Sequence, residues 1–316
     1  MEKILLIGGA GFLGLNWIQF LENQVASREV AVTVLSRHHH ADLALFPQVK
    51  FVQGDYGDLD VLNRLFLEEH FTQVFHFAST IVPATSTQNV SEDLEANLTP
   101  TIQLLEVMKQ HDCRFLVYFS SGGAVYGHAG FEALNENQAC KPISSYGIIK
   151  LAVEHYIQLY SNIHQIDYLI LRLSNPFGYF HHSDQQGVIN IALRKALSGE
   201  TFTVWGDGSQ TKDYIFAEDI AKAIFQLWQS GHKNDTINIG YGSAISLSTI
   251  LEKIKGLIPS FQVVYKEAKP TDVPHVCLDI SKLESLIPFE KTPFDEALER
   301  TWKWEEGRMY NVECKM

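Results

Sequence analysis

Gly8-Gly9-Ala10-Gly11-Phe12-Leu13-Gly14 follows directly on the apolar run Ile4-Leu5-Leu6-Ile7 and opens an amphipathic stretch beginning at Phe12. The run is too short for a helix and too apolar for a loop, so it reads as a buried strand. The glycines then supply a tight turn, close approach of backbone to a pyrophosphate, and tight packing of helix on strand, with the helix N-terminus facing the phosphates. A glycine motif alone is weak evidence, but a strand before it and a helix after it are the context a dinucleotide site requires. Gly8, Gly11, Phe12, Leu13 and Gly14 are therefore predicted cofactor contacts.

Outward from this turn the rhythm continues. Strands are predicted at Ile4–Ile7, Val30–Leu35, Lys50–Gln53, Gln73–Ala78, Phe115–Phe119 and Tyr168–Leu173, with helices at Phe12–Asn23, Leu59–Glu69, Glu92–Gln110 and Tyr146–Ser161 between them. Such alternation implies an α/β protein built on a Rossmann-type, doubly wound parallel sheet, with ligands at the carboxyl ends of the strands. After about Asn175 segments rich in Gly, Pro, His and Asp surround two shorter helical patterns, Val188–Leu197 and Glu218–Trp228. Residues 1–174 are assigned to the dinucleotide-binding domain, with about 215–241 returning to it, and 175–316 mainly to a smaller C-terminal substrate-binding α/β region.

Composition narrows the class. The 316 residues carry 37 acidic against 25 Lys and Arg side chains, a formal net charge of -12, which argues against a nucleic-acid binder. Cys113, Cys140, Cys277 and Cys314 lack paired spacing and read as reduced thiols. No apolar run approaches membrane-spanning length or resembles a secretion signal, so a cytoplasmic location without membrane partners is expected. No metal ligands are predicted: the 13 histidines form neither HExxH nor Cys/His spacing, His38-His39-His40 falls in a polar loop, and His181-His182 lies in a substrate-side loop, open to ligand contact or, as is commoner, to solvent.

The second strand ends Val34-Leu35-Ser36-Arg37. An NAD-selective site usually has Asp or Glu here for the ribose hydroxyls. Ser36 offers no charge to repel a 2′-phosphate and Arg37 can pair with one, so between NAD and NADP the sequence favours NADP. Asp55 and Tyr56, past the third strand, are predicted cofactor contacts, Asp55 at the adenine; His76-Phe77-Ala78 passes beneath the cofactor, with Phe77 and Ala78 in contact.

Tyr146 and Lys150 stand four apart on a predicted helix and share one face. A tyrosine with pKa near 10 is phenolate in about one molecule per thousand at pH 7, a cost of roughly 4 kcal/mol. A neighbouring ammonium and an oxidised nicotinamide lower that cost, and the phenolate can then take a sugar hydroxyl proton. A second copy of the spacing, Tyr265 and Lys269, lies in a β-like segment where it does not share a face.

These residues together resemble the extended short-chain dehydrogenase/reductase family in its NAD-dependent epimerase/dehydratase branch, of which UDP-glucose 4-epimerase is the best-known member. GGAGFLG at 8–14, HFA at 76–78, SSGGAVYG at 120–127, YGIIK at 146–150, RLSNPFG at 172–178, WGDGSQTKDYIF at 205–216 and KPTDVPHVCLDISK at 269–282 occur in the family's order. The resemblance implies a nucleotide-sugar substrate and a homodimer formed through helices 92–110 and 146–161. It places Asn97 near the nicotinamide, Asn175 near the substrate phosphates, and Lys212, Lys269 and Asp272 on the nucleotide. At Lys212 and Lys269 the family usually has arginine, whose planar fork lysine lacks.

Aligned on Val125-Tyr126-Gly127, Gly122 stands where the family's catalytic hydroxyl residue belongs. Ser121 is the expected substitute, although strand alternation turns it the other way unless the chain bends; Ser120 is the second candidate. Dehydratases of the family carry acidic residues where Gly123 and Ala124 stand here, which argues against water elimination. Val276, where galactose-restricted relatives carry an aromatic, is expected to leave room for an N-acetyl group. The function implied is a nucleotide-sugar 4-epimerase with Tyr146 as base. Its alternatives are an NADPH-dependent 4-keto-sugar reductase and a non-catalytic NADP-binding protein.

Overall fold

The structure, a computed structural model, describes residues 2–24, 30–80, 90–127, 130, 132–267 and 275–313. Its first half runs β1 (Glu2–Ile7), α1 (Phe12–Gln24), β2 (Val30–Ser36), β3 (Lys50–Gln53), α2 (Leu59–Glu69), β4 (Gln73–His76), α3 (Val90–Asp93), α4 (Thr99–Gln110), β5 (Phe115–Ser121), α5 (Gly122–Val125), α6 (Ser145–His164) and β6 (Asp167–Leu173). The chain continues through β7 (Asn175–Phe177), α7 (Val188–Leu197), β8 (Phe202–Trp205), β9 (Thr211–Phe216), α8 (Ala217–Gln229), β10 (Asp235–Ile239), β11 (Ala244–Ser246), α9 (Leu247–Leu257), β12 (Val263–Lys266), β13 (His275–Val276), α10 (Ser281–Leu286) and α11 (Phe294–Glu313).

Seven parallel strands form the central sheet in the order β10-β6-β5-β4-β1-β2-β3. The order reverses between β1 and β4, which opens a crevice at their carboxyl ends. β1 shows why both faces are covered. Ile4 and Leu6 enter the core beneath α1 and α8, whereas Leu5 and Ile7 enter the core beneath α2, α4 and α6. A third core joins Phe177, Leu193, Phe202 and Ile250 around a small sheet in which β9 pairs with β7, β11 and β13. The two-residue β13 is paired with Thr211 and Lys212.

The helix predicted at Glu92–Gln110 is broken. Between α3 and α4 a π turn spans Leu94–Leu98, with the Thr99 amide donating to the Leu94 carbonyl. Pro100 has no amide hydrogen for the Ala96 carbonyl, so a regular helix would leave that carbonyl unpaired. The Tyr56 hydroxyl donates to it instead, at 3.4 Å.

Candidate active site

At the carboxyl edge of the sheet lies a cleft of about 670 Å³. Gly8, Gly11, Phe12, Leu13 and Gly14 line one end, Phe77, Ser121, Tyr146 and Lys150 the middle, and Asn175 and Lys212 the far side. Gly8 has φ +72°, and a Cβ there would sit 2.8 Å from the Ala78 Cα; a Cβ at Gly14 would lie 2.4 Å from the Gly9 carbonyl oxygen. Both glycines are thus required for β1, β4 and α1 to meet. Gly11 differs: it is exposed, and its added methyl would touch only the Gly8 carbonyl and project toward the cleft. With the first amides of α1 unpaired within the helix, this turn is a cradle fitted to a dinucleotide pyrophosphate.

Tyr146 and Lys150 lie in the first turns of α6, whose N-terminus is capped by Ser144 accepting the Gly147 amide. The Lys150 ammonium donates to the Phe119 carbonyl at 2.8 Å and sits 5.8 Å from the centre of the Tyr146 ring. Burial pushes the Tyr146 phenol up to about 12, opposed by a hydrogen bond from Ser121. Burial likewise pulls Lys150 down to about 8, opposed by the negative charge of Glu154. Beneath them, burial and the Lys150 charge hold His76 at about 3, so its imidazole is neutral.

The two serines divide by strand alternation. Ser120 donates to Glu154, while Ser121, the last residue of β5, reaches the Tyr146 oxygen because the chain turns into α5 immediately after it. A side chain at position 122 would have to displace Leu278. An added Cβ would lie 2.8 Å from both Leu278 methyls and 3.3 Å from the Leu173 carbonyl.

Other predicted residues lie elsewhere. Tyr56, Ala78 and Asn97 line a small cavity on the far side of Tyr146 and Lys150, and the Asn97 amide is engaged with Thr80 and the Asp93 carbonyl. Ser36 and Arg37 end β2 outside the cleft proper; Arg37 is exposed, and among the described residues it forms no ion pair. Asp55 is exposed and accepts the Gly57 amide at 2.8 Å. Lys269 and Asp272 lie outside the described residues. Val276 is buried in the main core and is not among the residues that line the cleft.

Sequence reasoning missed three groups, Glu154, Arg172 and Asp213. Glu154, one turn beyond Lys150, is fully buried against Arg172, with Oε2 2.6 Å from Nη2. Asp213 is fully buried on β9 and accepts the amides of Tyr241, Gly242 and Leu278; its own carbonyl holds the Asn175 side chain at 2.8 Å. It thereby fixes the strand that carries Lys212. Glu154 was legible as an acid on the buried face at the next fourth position, whereas nothing local marked Asp213.

The histidines also differ from expectation. His181 is not solvated: it is buried, packs edge-on against Phe12 at 4.9 Å and lines the cleft. His182 contacts Asp42, and His40 stacks on His182, an assembly brought together across 140 residues of chain. Burial, with the charge of Arg308, pulls His182 down to about 4.

The model of the NAD dependent epimerase/dehydratase family matches residues 4–240. A Methanocaldococcus jannaschii protein provisionally named a UDP-glucose 4-epimerase is 33% identical over 304 residues, covering 95% of this chain and 97% of its own. The crystal structure of Thermotoga maritima UDP-glucose 4-epimerase with UDP-glucose superimposes with a TM-score of 0.90 at 25% identity, covering 98% of this chain and 100% of that one. Thermus thermophilus UDP-glucose 4-epimerase in complex with NAD gives 0.87 at 26% identity, covering 97% and 99%. No helix among the described residues is long and apolar enough to cross a membrane.

Proposed function

The chain belongs to the NAD dependent epimerase/dehydratase family, and from that premise we propose that it inverts C4 of a nucleotide-linked hexose through a transient 4-keto sugar, with Tyr146 as the base. The observation that carries this reading is the convergence of Tyr146, Lys150 and Ser121 on one wall of a cleft whose other end is a pyrophosphate cradle.

The residues have distinct tasks. With its phenol at about 12, Tyr146 ionises at pH 7 only at a cost of about 7 kcal/mol in the protein alone. Ser121 and the Lys150 ammonium favour the anion; bound NAD or NADP supplies the hydride acceptor and a positive ring that lowers the cost further. Tyr146 then takes the proton of the sugar's 4-hydroxyl, and Ser121 holds the same oxygen by hydrogen bond. Asn175 and Lys212, on the opposite wall, suit the diphosphate of the substrate, as do Lys269 and Asp272 by resemblance. Gly123 and Ala124 carry no acid, which disfavours dehydration.

Arg37 supports a second reading. An exposed guanidinium that has no carboxylate partner among the described residues, directly after β2 and beside Ser36, is suited to a 2′-phosphate and hence to NADP, the cofactor of a 4-keto-sugar reductase. Incubating the protein with UDP-glucose and either cofactor separates the two. An epimerase forms UDP-galactose, seen by NMR, with total oxidised cofactor unchanged. A reductase consumes NADPH in step with a 4-keto substrate and forms no galactose epimer.

A homodimer through α6 is supported by the exposed apolar stripe Ile148, Tyr156, Leu159 and Ile163. Its mass in solution is the test.

A further inference from the structure

The turn after β2 and the loop after β7 meet at a histidine-carboxylate cluster that the chemistry above leaves unused. His182 Nε2 lies 2.8 Å from Asp42 Oδ2, and His40 Nδ1 lies 3.5 Å from the same oxygen. The two imidazoles stack with centroids 4.0 Å apart, and one ligand atom from each of the three residues falls within 4.8 Å of the others. All three side chains are partly buried, with 24–32% of their surface exposed.

The protons point to a missing partner. His40 Nδ1 accepts the Asp42 amide at 3.3 Å, so that nitrogen carries no hydrogen, yet it also faces the Asp42 carboxylate. His40 Nδ1 and the Asp42 carboxylate thus face each other as two acceptors 3.5 Å apart, with His182 Nε2 on the same carboxylate oxygen, a donor set that a cation can take. We propose that His40, Asp42 and His182 form a divalent transition-metal site of the zinc class, with a fourth position open to water.

The geometry suits this ion. Zinc bonds of about 2.0–2.2 Å in a tetrahedron require ligand atoms about 3.3 Å apart. The observed 2.8 and 3.5 Å bracket that spacing, and the widest separation closes by rotation of the partly buried imidazoles. Binding takes the His40 lone pair from the Asp42 amide, so the ion must outweigh that 3.3 Å hydrogen bond. Two imidazoles and one carboxylate select a borderline ion over magnesium or calcium, which prefer all-oxygen shells. Opposing the ion is Arg308, whose charge is felt by both Asp42 and His182 and whose guanidinium lies 4.7 Å above the Trp304 ring. A bound metal would tie the turn that follows Ser36 and Arg37 to the loop that carries His181 into the cleft.

The test is titration of the full-length protein with Zn²⁺ by calorimetry and with Co²⁺ by its visible ligand-field absorption. One ion per chain is expected, with a tetrahedral cobalt spectrum. His40→Gln and His182→Gln should each weaken binding at least tenfold, whereas Arg308→Ala should tighten it. His38→Ala with His39→Ala should leave it unchanged, because His39 turns onto Phe51 at 4.8 Å and His38 is exposed. Circular dichroism of each variant confirms folding. Absence of binding, binding that survives both glutamine variants, or binding lost on changing His38 and His39 overturns the site. None of these outcomes bears on the epimerase reading, which the sugar-nucleotide assay tests separately.

Discussion

Replacing Lys150 with methionine should abolish turnover and stabilise the fold. Lys150 is 6% exposed, and burial holds its ammonium at about 8, against an ordinary value of 10.5. That difference corresponds to about 3 kcal/mol of folding free energy lost below pH 8, because the native state disfavours a proton the unfolded chain keeps. Methionine removes this penalty and fills a similar volume, but it orphans the Phe119 carbonyl, which costs about 1–3 kcal/mol. The balance is a gain of about 0–2 kcal/mol at pH 7. The sign of its pH dependence follows from linkage. A lysine with a depressed native pKa is destabilising at low pH, and the penalty fades as pH rises from about 8 to 10.5. The advantage of Lys150→Met should therefore be largest at pH 7 and nearly gone, or reversed, at pH 10. Urea denaturation of both proteins at the two pH values, followed by far-ultraviolet circular dichroism, reads this directly. A variant less stable than wild type at pH 7, or an advantage that does not shrink at pH 10, refutes the reasoning.

Arg37→Ala should raise the dissociation constant for NADP by about 10- to 100-fold, the loss of one charge-assisted phosphate contact, and leave NAD within about twofold; fluorescence titration measures both. In Gly14→Ala the methyl would press 2.4 Å from the Gly9 carbonyl, so the variant should lose about 1–3 kcal/mol in a denaturant melt and most of its dinucleotide affinity. Arg172→Met leaves the Glu154 carboxylate buried without its ion partner and should cost about 3–5 kcal/mol in the same melt, whereas the double variant with Glu154→Gln should recover much of that loss. Equal loss in the single and double variants would show that the charge is not the cause.

Much of the sheet was legible because its signals are local. The run Ile4–Ile7, the glycine turn and the stretch from Phe12 stand in one contiguous segment, and the strand–helix alternation recurs from β3 through α2, β4, α4, β5 and α6 to β6. The pair Tyr146 and Lys150 was legible for the same reason, one helical turn. What escaped depends on contacts between distant residues. The π turn at Leu94–Leu98 arises from Pro100 together with the Tyr56 hydroxyl, forty residues from the carbonyl it meets. The small sheet is built from strands as short as His275–Val276, which carry no periodicity to read. Ser121 could be named but not oriented, since its direction is set by the bend into α5 and by the packing of Leu278 against Gly122. His40, Asp42 and His182 share no spacing in sequence at all.

The account rests on the Tyr146 oxygen as the group that moves the substrate proton. The most direct measurement is the rate of UDP-glucose to UDP-galactose conversion by Tyr146→Phe, alongside its dinucleotide affinity. Loss of the hydroxyl should slow conversion by about 10²- to 10⁴-fold while cofactor binding stays within a few fold of wild type. Conversion at the wild-type rate by the phenylalanine variant would contradict it.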